Sequence, residues 1–228
     1  MRKLVNYNLK NSFSRHMGAK FPPSFPNEML VKILSSNFYS NIKKKFFNKR
    51  IKILEVGSSS GNNLRFFLEK KYIPYGIEIN KEMVDLGKKN LLRLGYKIPK
   101  ILIGNNCNIP FKNNSFDCLV SINTIHYNFG EDILLALKEF KRVLKKNGVV
   151  IIETSGPEHF NRAQSKKIKN LEWIWNSKDF RKGEKFGFFD DKISFSNTLK
   201  KVFSKVDVFE RTEFSKVKLH FYFAVCKI

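Results

Sequence analysis

The sequence predicts a doubly wound α/β fold, in which a mostly parallel seven-stranded sheet ends in an antiparallel closing strand. Three observations lead to this prediction. Between residues 51 and 155, short apolar runs alternate with amphipathic helical patterns, as expected where each strand is followed by a covering helix. The runs are continuously apolar, which is typical of parallel strands buried on both faces. Two further apolar runs near the C-terminus follow each other directly, so we expect them to pair as an antiparallel hairpin.

Five apolar runs in the middle of the chain are predicted to be the parallel strands. They are IKILEVG (51–57), YIPYGIEIN (72–80), KILIG (100–104), FDCLVSIN (116–123) and VVIIETS (149–155). The helical spacing of apolar residues between them predicts helices at 61–71, 81–95 and 131–148. A short helix at 195–203 is then followed by the sixth and seventh strands, KVDVFERTEF (205–214) and VKLHFYFAVCKI (217–228).

Residues 1–50 are predicted to form a helical cap that precedes one α/β domain at 51–228. Within this cap a helix is expected to begin near Asn27, which follows Pro26 and is a suitable N-cap residue. A stretch at about 156–193 interrupts the alternation, shows no clear strand pattern and is longer than an ordinary connection. We interpret this stretch as a lid-like insertion.

The composition favours a folded cytoplasmic protein without a membrane segment. Hydrophobic residues make up 42% of the 228 residues and aromatic residues 14%, which is enough to bury a core. No apolar run reaches the ~18–20 residues of a membrane helix, and the basic N-terminus lacks the apolar region of a signal peptide. The three cysteines have no metal-ligand spacing, so we expect reduced thiols and no metal site.

The formal net charge of +23 raises the possibility of a nucleic-acid partner. The excess is densest before residue 50 and diffuse elsewhere, and most of it is Lys beside abundant Asn, Ile and Phe. That mixture is also what an AT-rich coding bias produces. Because charge alone speaks to solubility and non-specific attraction, we favour the compositional explanation over a nucleic-acid site.

The segment IKILEVGSSSGNNL (51–64) joins a buried strand to a helix through a turn with two glycines. Gly57 and Gly61 are four residues apart, which does not fit the GxGxxG spacing of dinucleotide sites, and no GK[ST] follows for a P-loop. The pattern is instead E-x-G-x-x-x-G, beginning at Glu55. A carboxylate at this place would repel a pyrophosphate and suits a ligand with a cationic group. Taken alone, Glu55 and the glycines would also fit an ordinary structural βα turn.

This loop resembles motif I of the class I S-adenosylmethionine-dependent methyltransferases, an acid followed by GxGxG. YGIEIN resembles the family's second-strand acid, which makes Glu78 the residue that would hold the ribose hydroxyls. IGNNCNIPFKNNSFDCLVS resembles its G-D-A-x-x-L-P-F and FD segments, and FKRVLKKNGVVIIET its R-x-L-x-x-G-G segment. The four matches occur in order over residues 50–155. The resemblance implies a Rossmann-like methyltransferase fold and S-adenosyl-L-methionine as cofactor. The cofactor-binding residues that it implies are Glu55, Gly57, Ser58, Ser59, Gly61, Asn62, Glu78, Ile79, Asn105, Asn106, Cys107 and Ser121.

Three positions depart from the family pattern. Ser59 replaces the middle glycine, which is tolerable if its φ stays below zero. Asn105 replaces the usual aspartate, and its amide oxygen can still accept a hydrogen bond from the adenine amino group. Asn147 replaces a turn glycine, and Asn tolerates the left-handed region. A non-catalytic relative that binds the cofactor weakly is therefore an alternative.

Two histidines are the candidate catalytic residues. His126 follows the fourth strand and His159 follows the fifth, where open α/β sheets place their ligands. Each could act as a general base with a pKa near neutrality. For His126, packing against the cofactor or substrate is an equal alternative, and for His159 a structural role is favoured.

The candidate substrate-binding residues lie on three segments. They are Arg15 and His16 in the N-terminal segment, beside Lys20, then Tyr127 after the fourth strand, and Arg181 and Phe189 in the insertion. Basic and aromatic groups on a mobile segment can clamp an anionic or sugar-bearing substrate. The alternative is that each phenylalanine of the insertion packs into the core.

These features predict an enzyme that transfers a methyl group from S-adenosylmethionine to a small molecule. The resemblance to small-molecule enzymes of the family suggests a sugar or a surface-glycan precursor as acceptor. An RNA-directed methyltransferase is the alternative that the charge supports. Neither the acceptor atom nor the oligomeric state follows from the sequence.

Overall fold

The computed structural model describes residues 25–35, 50–179, 181–214 and 216–228. These residues form ten strands, which we number in chain order: β1 (Lys52–Val56), β2 (Ile73–Glu78), β3 (Lys100–Ile103), β4 (Phe116–Ile122), β5 (Leu144–Ser155), β6 (Ser165–Lys169), β7 (Glu172–Trp175), β8 (Lys185–Phe186), β9 (Lys205–Phe214) and β10 (Lys218–Lys227). The helices of the described residues are α1 (Glu28–Ser35), α2 (Asn62–Glu69), α3 (Lys81–Arg93), α4 (Glu131–Val143), α5 (Phe160–Ala163) and α6 (Lys192–Lys200).

Seven strands form one sheet in the order β3-β2-β1-β4-β5-β10-β9. The pairs from β3 to β5 are parallel, whereas β10 runs antiparallel to both β5 and β9. The prediction of a mostly parallel seven-stranded sheet closed by an antiparallel strand is therefore confirmed. Because β1 lies between β2 and β4, the order of connection reverses there. In open α/β sheets such a switch point marks the ligand crevice, at the carboxyl ends of the strands.

The core has one part on each face of the sheet because successive strand residues point to opposite faces. Along β1, Leu54 packs with apolar residues of α4 and α6, and Ile53 packs with those of α1, α2 and α3. All of these side chains come from the apolar runs and helical stripes of the sequence. The helices thus cover both faces, and the loops at the carboxyl edge lie between the two layers.

The N-terminal helix α1 begins where the sequence predicts. The side-chain oxygen of Asn27 accepts a hydrogen bond from the backbone N–H of Leu30 at 3.0 Å, which is an N-cap contact. Residues Met29, Leu30, Ile33 and Leu34 form the buried stripe of the helix. The helix therefore packs on the sheet face and brings Asn27 to the carboxyl edge.

The insertion contains a small sheet, so the expectation that it has no strand is wrong. Strands β6, β7 and β8 form a three-stranded antiparallel sheet after the short helix α5. β6 has the sequence SKKIK and is exposed along most of its length, β7 has four residues and β8 has two. Such short strands, one of them rich in Lys, lack the apolar alternation on which sequence interpretation depends.

Among the helices of the described residues, none is long and apolar enough to cross a membrane.

Candidate active site

The loop between β1 and α2 passes over the switch point in a conformation with three positive φ angles. They are 76° at Gly57, 44° at Ser59 and 79° at Gly61. The expectation that Ser59 keeps φ below zero is therefore wrong, because the loop turns through the left-handed region at this residue as well. By contrast, Asn147 has a φ of 64°, which confirms that Asn occupies a left-handed turn position there.

The close approach of the loop to the segment after β4 requires glycine at position 57. A β-carbon at Gly57 would lie 2.1 Å from Cγ2 of Thr124. The loop is held from the other side by β2, since the N–H groups of Gly57 and Ser58 donate to the carbonyl of Ile77 at 2.9 and 3.1 Å. The loop is thus fixed between two neighbouring strand ends.

Glu78 ends β2 beneath this loop and is 5% exposed. Its Oε2 accepts a hydrogen bond from the N–H of Ser59 at 3.0 Å, and its Oε1 accepts one from the N–H of Ile79 at 2.7 Å. Burial raises the pKa of Glu78, while the two backbone donors act in the opposite direction. The carboxylate is held at the crevice, and its remaining lone pairs can accept from hydroxyl groups such as those of a ribose.

Glu55 lies one strand away and is 2% exposed. Asn63, on α2, donates from Nδ2 to Glu55 Oε1 at 2.7 Å. Burial raises the pKa of Glu55 to about 8; the Asn63 hydrogen bond lowers it, and the nearby Glu78 raises it further. A bound cation would stabilise the charged form of this carboxylate.

Three buried polar atoms around the loop have no hydrogen-bond partner among the described residues: Oε2 of Glu55 and the hydroxyl oxygens of Ser58 and Ser59. Buried polar atoms of this kind are uncommon in native proteins, and each calls for an explanation. A ligand with an ammonium group and hydroxyl groups would pair with a carboxylate and hydroxyls at this place. The residues present therefore fit S-adenosylmethionine, whose ammonium would be held by Glu55 and whose ribose would be held by Glu78.

The segment implied to surround the adenine is an internally bonded turn. Oδ1 of Asn105 accepts from the N–H of Cys107 at 2.9 Å, and Nδ2 of Asn106 donates to the carbonyl of Thr124 at 3.3 Å. The thiol of Cys107 points to the carbonyl of Asp132 at 3.3 Å. Burial raises the pKa of this thiol to about 12. The turn keeps its shape through the Asn105 oxygen, which retains a second lone pair for a ligand.

The remaining implied cofactor residues, Asn62, Ile79 and Ser121, lie around the same crevice. Asn62 begins α2 and donates from Nδ2 to the carbonyl of Phe25 at 2.8 Å. Ser121 is fully buried, with its hydroxyl 2.5 Å from that of Thr124. Ser121 thus supports the segment after β4 from below, and Ile79 contributes the N–H that holds Glu78.

His126 lies in a one-turn 3₁₀-helix after β4 and is 2% exposed. Its Nδ1 is 3.4 Å from the hydroxyl of Thr154 on β5, and its ring lies 4.7 Å from that of Tyr127. Burial lowers the pKa of His126 to about 3, and the charge of Arg181 lowers it further. The prediction of a near-neutral pKa is therefore wrong for this residue. Its imidazole is neutral at pH 7 and is a weak general base.

His159 caps α5, since its Nδ1 accepts from the N–H of Asn161 at 3.0 Å. Its ring stands edge-on to that of Phe221 at 4.9 Å. Burial lowers the pKa of His159 to about 4, with His220 as the second cause. A near-neutral pKa is wrong here too, and the contacts fit the structural role that the sequence favoured.

The five predicted substrate-binding residues have different outcomes. Arg15 and His16 lie outside the described residues. Tyr127 and Arg181 come together, with the guanidinium 3.5 Å from the phenol oxygen. Phe189 is 1% exposed and its ring packs 4.7 Å from that of Phe195 in the main core. Its assignment to the substrate is contradicted, because the side chain is enclosed by core residues, as the alternative had it.

Sequence reasoning missed a buried polar network beside the loop. Glu153 on β5 is 1% exposed and accepts hydrogen bonds from Nδ2 of Asn27 at 2.9 Å and from Nδ2 of Asn123 at 2.5 Å. Burial raises its pKa to about 7. The N–H of Asn27 also donates to Oδ1 of Asn63 at 2.8 Å, so the network reaches Glu55. The indication in the sequence was a single Glu within the apolar run VVIIETS.

Comparison with known proteins gives a family match over part of the chain. Residues 54–152 match a family model described as a methyltransferase domain. A demethylmenaquinone methyltransferase of Bacillus velezensis is 38% identical over 93 residues, which are 40% of this chain and 38% of that protein. The chain thus spans well under half the length of the curated relatives that it matches first.

Solved structures share the whole fold. A crystal structure of the PH0226 protein from Pyrococcus horikoshii has a TM-score of 0.65 at 18% identity, covering 94% of this chain and 97% of that one. A Thermotoga maritima protein, described as an S-adenosylmethionine-dependent methyltransferase and possible histamine N-methyltransferase, has a TM-score of 0.59 at 21% identity, covering 98% and 99%. The methyltransferase match and the structural neighbours imply S-adenosylmethionine as the cofactor, in agreement with the carboxylates and hydroxyls of the crevice. Residues 54–152 of this chain thus match a methyltransferase domain, and its fold resembles that of solved S-adenosylmethionine-dependent methyltransferases.

Proposed function

We propose that this protein is an enzyme that transfers a methyl group from S-adenosylmethionine to a small molecule. The observation that carries the proposal is the set of three buried, unpartnered polar atoms of Glu55, Ser58 and Ser59 at the switch point. They supply the groups that a ligand with an ammonium and hydroxyls requires. When bound, the cofactor would supply the methyl group that its sulfonium sulfur carries.

The proposed acceptor site lies beside the cofactor residues, under the insertion. The N–H of Gly187 in the insertion donates to the carbonyl of His126 at 2.8 Å, and a β-carbon at Gly187 would lie 2.2 Å from the carbonyl oxygen of Asn128. The insertion therefore packs tightly on the turn after β4. These contacts support the interpretation of 156–193 as a lid that excludes water from the acceptor. Most of the predicted cap at 1–50 lies outside the described residues.

The low pKa of His126 bears on the chemistry of the acceptor. A hydroxyl nucleophile benefits from a strong base in reach, whereas an amine with a free lone pair or an ionised oxygen needs none. His126 and Tyr127 would then orient the acceptor rather than remove its proton. The pKa of about 3 at His126 thus favours an acceptor atom that is already nucleophilic at neutral pH.

Sugars and surface-glycan precursors are within this proposal where they carry an amine or an ionised oxygen as the acceptor atom. The rings of Tyr127 and Trp175 pack on Phe186, and aromatic groups with polar edges suit ligands that have both apolar and hydroxyl-bearing surfaces. The Bacillus relative is named for demethylmenaquinone, but its match covers 40% of this chain. A quinone acceptor is therefore not part of this proposal.

RNA is the second candidate acceptor, supported by the net charge of +23 and by the exposed lysines of β6. These lysines, Lys166, Lys167 and Lys169, lie on a strand edge of the insertion. An RNA-directed enzyme would show a steep dependence of binding on salt.

Calorimetry with S-adenosylhomocysteine tests the cofactor site. We expect binding to the wild-type protein. Glu78→Ala should lose about tenfold or more in affinity, because it removes the carboxylate that would accept hydrogen bonds from the ribose hydroxyls. Glu82→Ala, an acid of α3 with an exposed side chain, is the control and should bind normally. Absence of binding to the wild type would contradict the proposal.

The acceptor class is tested by the release of S-adenosylhomocysteine from S-adenosylmethionine. The enzyme is supplied either with an RNase-treated low-molecular-mass filtrate of a cell extract or with purified total RNA. We expect turnover with the filtrate alone. Turnover with RNA alone would overturn the small-molecule proposal in favour of the second candidate.

A further inference from the structure

The guanidinium of Arg181 is surrounded by aromatic rings beside the turn after β4. Its central carbon lies 4.5 Å from the ring centre of Trp175, 4.6 Å from that of Phe186 and 5.8 Å from that of Tyr127. The faces of aromatic rings carry partial negative charge and attract cations, and the carboxylate of Glu184 lies beside these rings. We call the three rings together with Glu184 the cage.

Glu184 supplies the negative charge of the cage and is 3% exposed. Its Oε2 is 3.2 Å from Nε of Arg181, and its Oε1 has no hydrogen-bond partner among the described residues. A well-matched Arg–carboxylate pair makes two parallel hydrogen bonds, which this pair does not. Arg181 therefore fills the cage but leaves Oε1 of Glu184 without a hydrogen-bond partner among the described residues.

Arg181 comes from a tight turn whose backbone is bonded to the end of β7: Trp175 N–H donates to the carbonyl of Glu184 at 2.8 Å, and Gly183 N–H donates to the carbonyl of Trp175 at 3.0 Å. The turn is closed by hydrogen bonds from Lys182 N–H to the carbonyl of Asp179 at 3.1 Å and from Glu184 N–H to the carbonyl of Arg181 at 2.9 Å. Gly183 in this turn has a φ of 87°, and a β-carbon placed on it would have no atom within 4 Å. The strands pair through Trp173 with Phe186 and Ile174 with Lys185, outside the turn. The Arg181 side chain can thus leave the rings without breaking that pairing.

The cage adjoins the proposed acceptor site. The Tyr127 ring forms one wall of the cage, and its other neighbour is the ring of His126, 4.7 Å away. The Phe186 ring also lies 5.5 Å from that of Tyr127. A ligand cation in the cage would therefore have its remaining atoms directed along the turn after β4.

We propose that the cage is a binding site for a small organic cation, an alkylammonium group of the acceptor, and that Arg181 occupies it in the free protein. A cationic nitrogen in the cage has no lone pair, so it serves as a handle while a different atom of the acceptor is methylated. This assignment of the acceptor class rests on the proposed function, whereas cation binding in the cage does not.

Tetramethylammonium chloride is the probe, because it carries a cation without a hydrogen-bond donor. The two tryptophans of the chain, Trp173 and Trp175, lie in or beside the cage, so their fluorescence reports its occupancy. Titrations are made at constant ionic strength with the full-length wild type and with Arg181→Gln, Glu184→Gln and Lys182→Gln. Lys182→Gln is the matched control, since it removes a charge from the same turn at an exposed side chain. tert-Butanol serves as the neutral probe of similar shape.

We expect Arg181→Gln to bind tetramethylammonium about tenfold or more tightly than the wild type, because the internal competitor is gone. Lys182→Gln should match the wild type, Glu184→Gln should bind weakly, and tert-butanol should give no saturable change. Tetramethylammonium should also raise the melting temperature of Arg181→Gln. An Arg181→Gln protein that melts earlier and shows no saturable cation binding would identify Arg181 as a structural strut and overturn the proposal.

The same preparations are titrated with S-adenosylhomocysteine to separate the two proposals. Cofactor binding without cation binding overturns the cage and leaves the proposed function intact. Cation binding without cofactor binding supports the cage and contradicts the proposed function. The assignment of the cage to the acceptor is supported if the wild-type enzyme methylates cationic amines and is overturned if only uncharged compounds are turned over.

Discussion

Asn27 donates a hydrogen bond from its side-chain amide to Oε2 of Glu153 at 2.9 Å, and so joins the N-cap of α1 to a buried carboxylate of β5. The same residue binds Asn63 through its backbone N–H, and Asn63 in turn holds Glu55. The position of α1 and the orientation of the proposed ammonium-binding carboxylate therefore depend on one residue.

Replacing Asn27 by Asp should destabilise the protein. The Asp keeps an oxygen for the N-cap but removes the donor to Glu153 and sets a second carboxyl against it. We expect the free energy of unfolding at pH 8 to fall by about 2 kcal/mol, as measured by urea denaturation. Asn27→Asp combined with Glu153→Gln restores a donor and an acceptor in reversed order and should recover most of the loss.

Asn80→Asp is the control for this substitution, since Asn80 is the N-cap of α3 and its side chain accepts from Met83 N–H at 2.9 Å. It should change stability little. If the double variant is no more stable than Asn27→Asp alone, the Asn27–Glu153 bond is not the cause of the loss.

The contribution of Glu153 to the stability of the free protein should fall as the pH rises from about 4.5 to 7. Burial raises the pKa of Glu153 from 4.5 to about 7, so the folded state binds more protons than the unfolded state within this range. The stabilising effect of the proton is complete below pH 4.5 and is lost as the pH passes through 7. Its size is on the order of 3 kcal/mol.

Urea denaturation at several pH values measures this slope. Relative to the wild type, Glu153→Gln should gain stability as the pH rises from 5 to 7, while the contribution of Glu55, with a pKa of about 8, persists to higher pH. An unchanged slope in Glu153→Gln would contradict the assignment of the titration to this carboxyl.

Replacing Ser59 by Gly should stabilise the protein by about 1 kcal/mol. Ser59 has a φ of 44°, where a β-carbon costs ~1–2 kcal/mol that glycine avoids, partly offset by the greater chain entropy of glycine. Thermal unfolding of the free protein measures the change. Ser60→Gly is the matched control: φ at Ser60 is not positive, so the same substitution should destabilise. Equal effects at the two positions would contradict the strain at Ser59.

Replacing Gly57 by Ala should abolish cofactor binding and destabilise the protein by several kcal/mol. The new β-carbon would lie 2.1 Å from Thr124 Cγ2, so the loop or the turn after β4 must move. Gly95→Ala is the control, because Gly95 has a similar φ of 78° but no atom within 4 Å of its would-be β-carbon. It should lose only the ~1–2 kcal/mol of backbone strain.

Calorimetry with S-adenosylhomocysteine and urea denaturation give both readouts. Thr124→Ser in the Gly57→Ala background removes the clashing methyl group and should restore part of the stability. Similar losses for Gly57→Ala and Gly95→Ala would show that strain, and not the contact with Thr124, decides the residue at position 57.

The succession of strands along the chain could be predicted, and Glu55 and Glu78 could be proposed as cofactor carboxylates, because both depend on local patterns. Continuous apolar runs identify parallel strands, and an acid at a fixed distance before a glycine turn marks Glu55. The pKa values of His126 and His159 could not be predicted, since they follow from burial by residues distant in the chain. The strands of the insertion and the core position of Phe189 depend in the same way on packing that no local period encodes.

The hydrogen bond between Asn27 and Glu153 could not be predicted for a related reason. Asn is common at helix N-caps, and the cap at Asn27 was visible in the sequence. Its amide group, however, bonds to Glu153, 126 residues away. Only the packing of α1 on the sheet brings the two side chains together.

The antiparallel strand β10 determines which side of the molecule is available for attachment. Lys218, at its start, lies near the carboxyl end of β5, while Lys227 pairs with Val149 at the beginning of the regular part of β5. Ile228 N–H then meets the carbonyl of Gly148 at 3.4 Å. A dye, an affinity tag or a surface linker joined after Ile228 would therefore leave the protein on the side opposite the crevice. Immobilisation through that end should keep the binding site open to solution for every measurement described above.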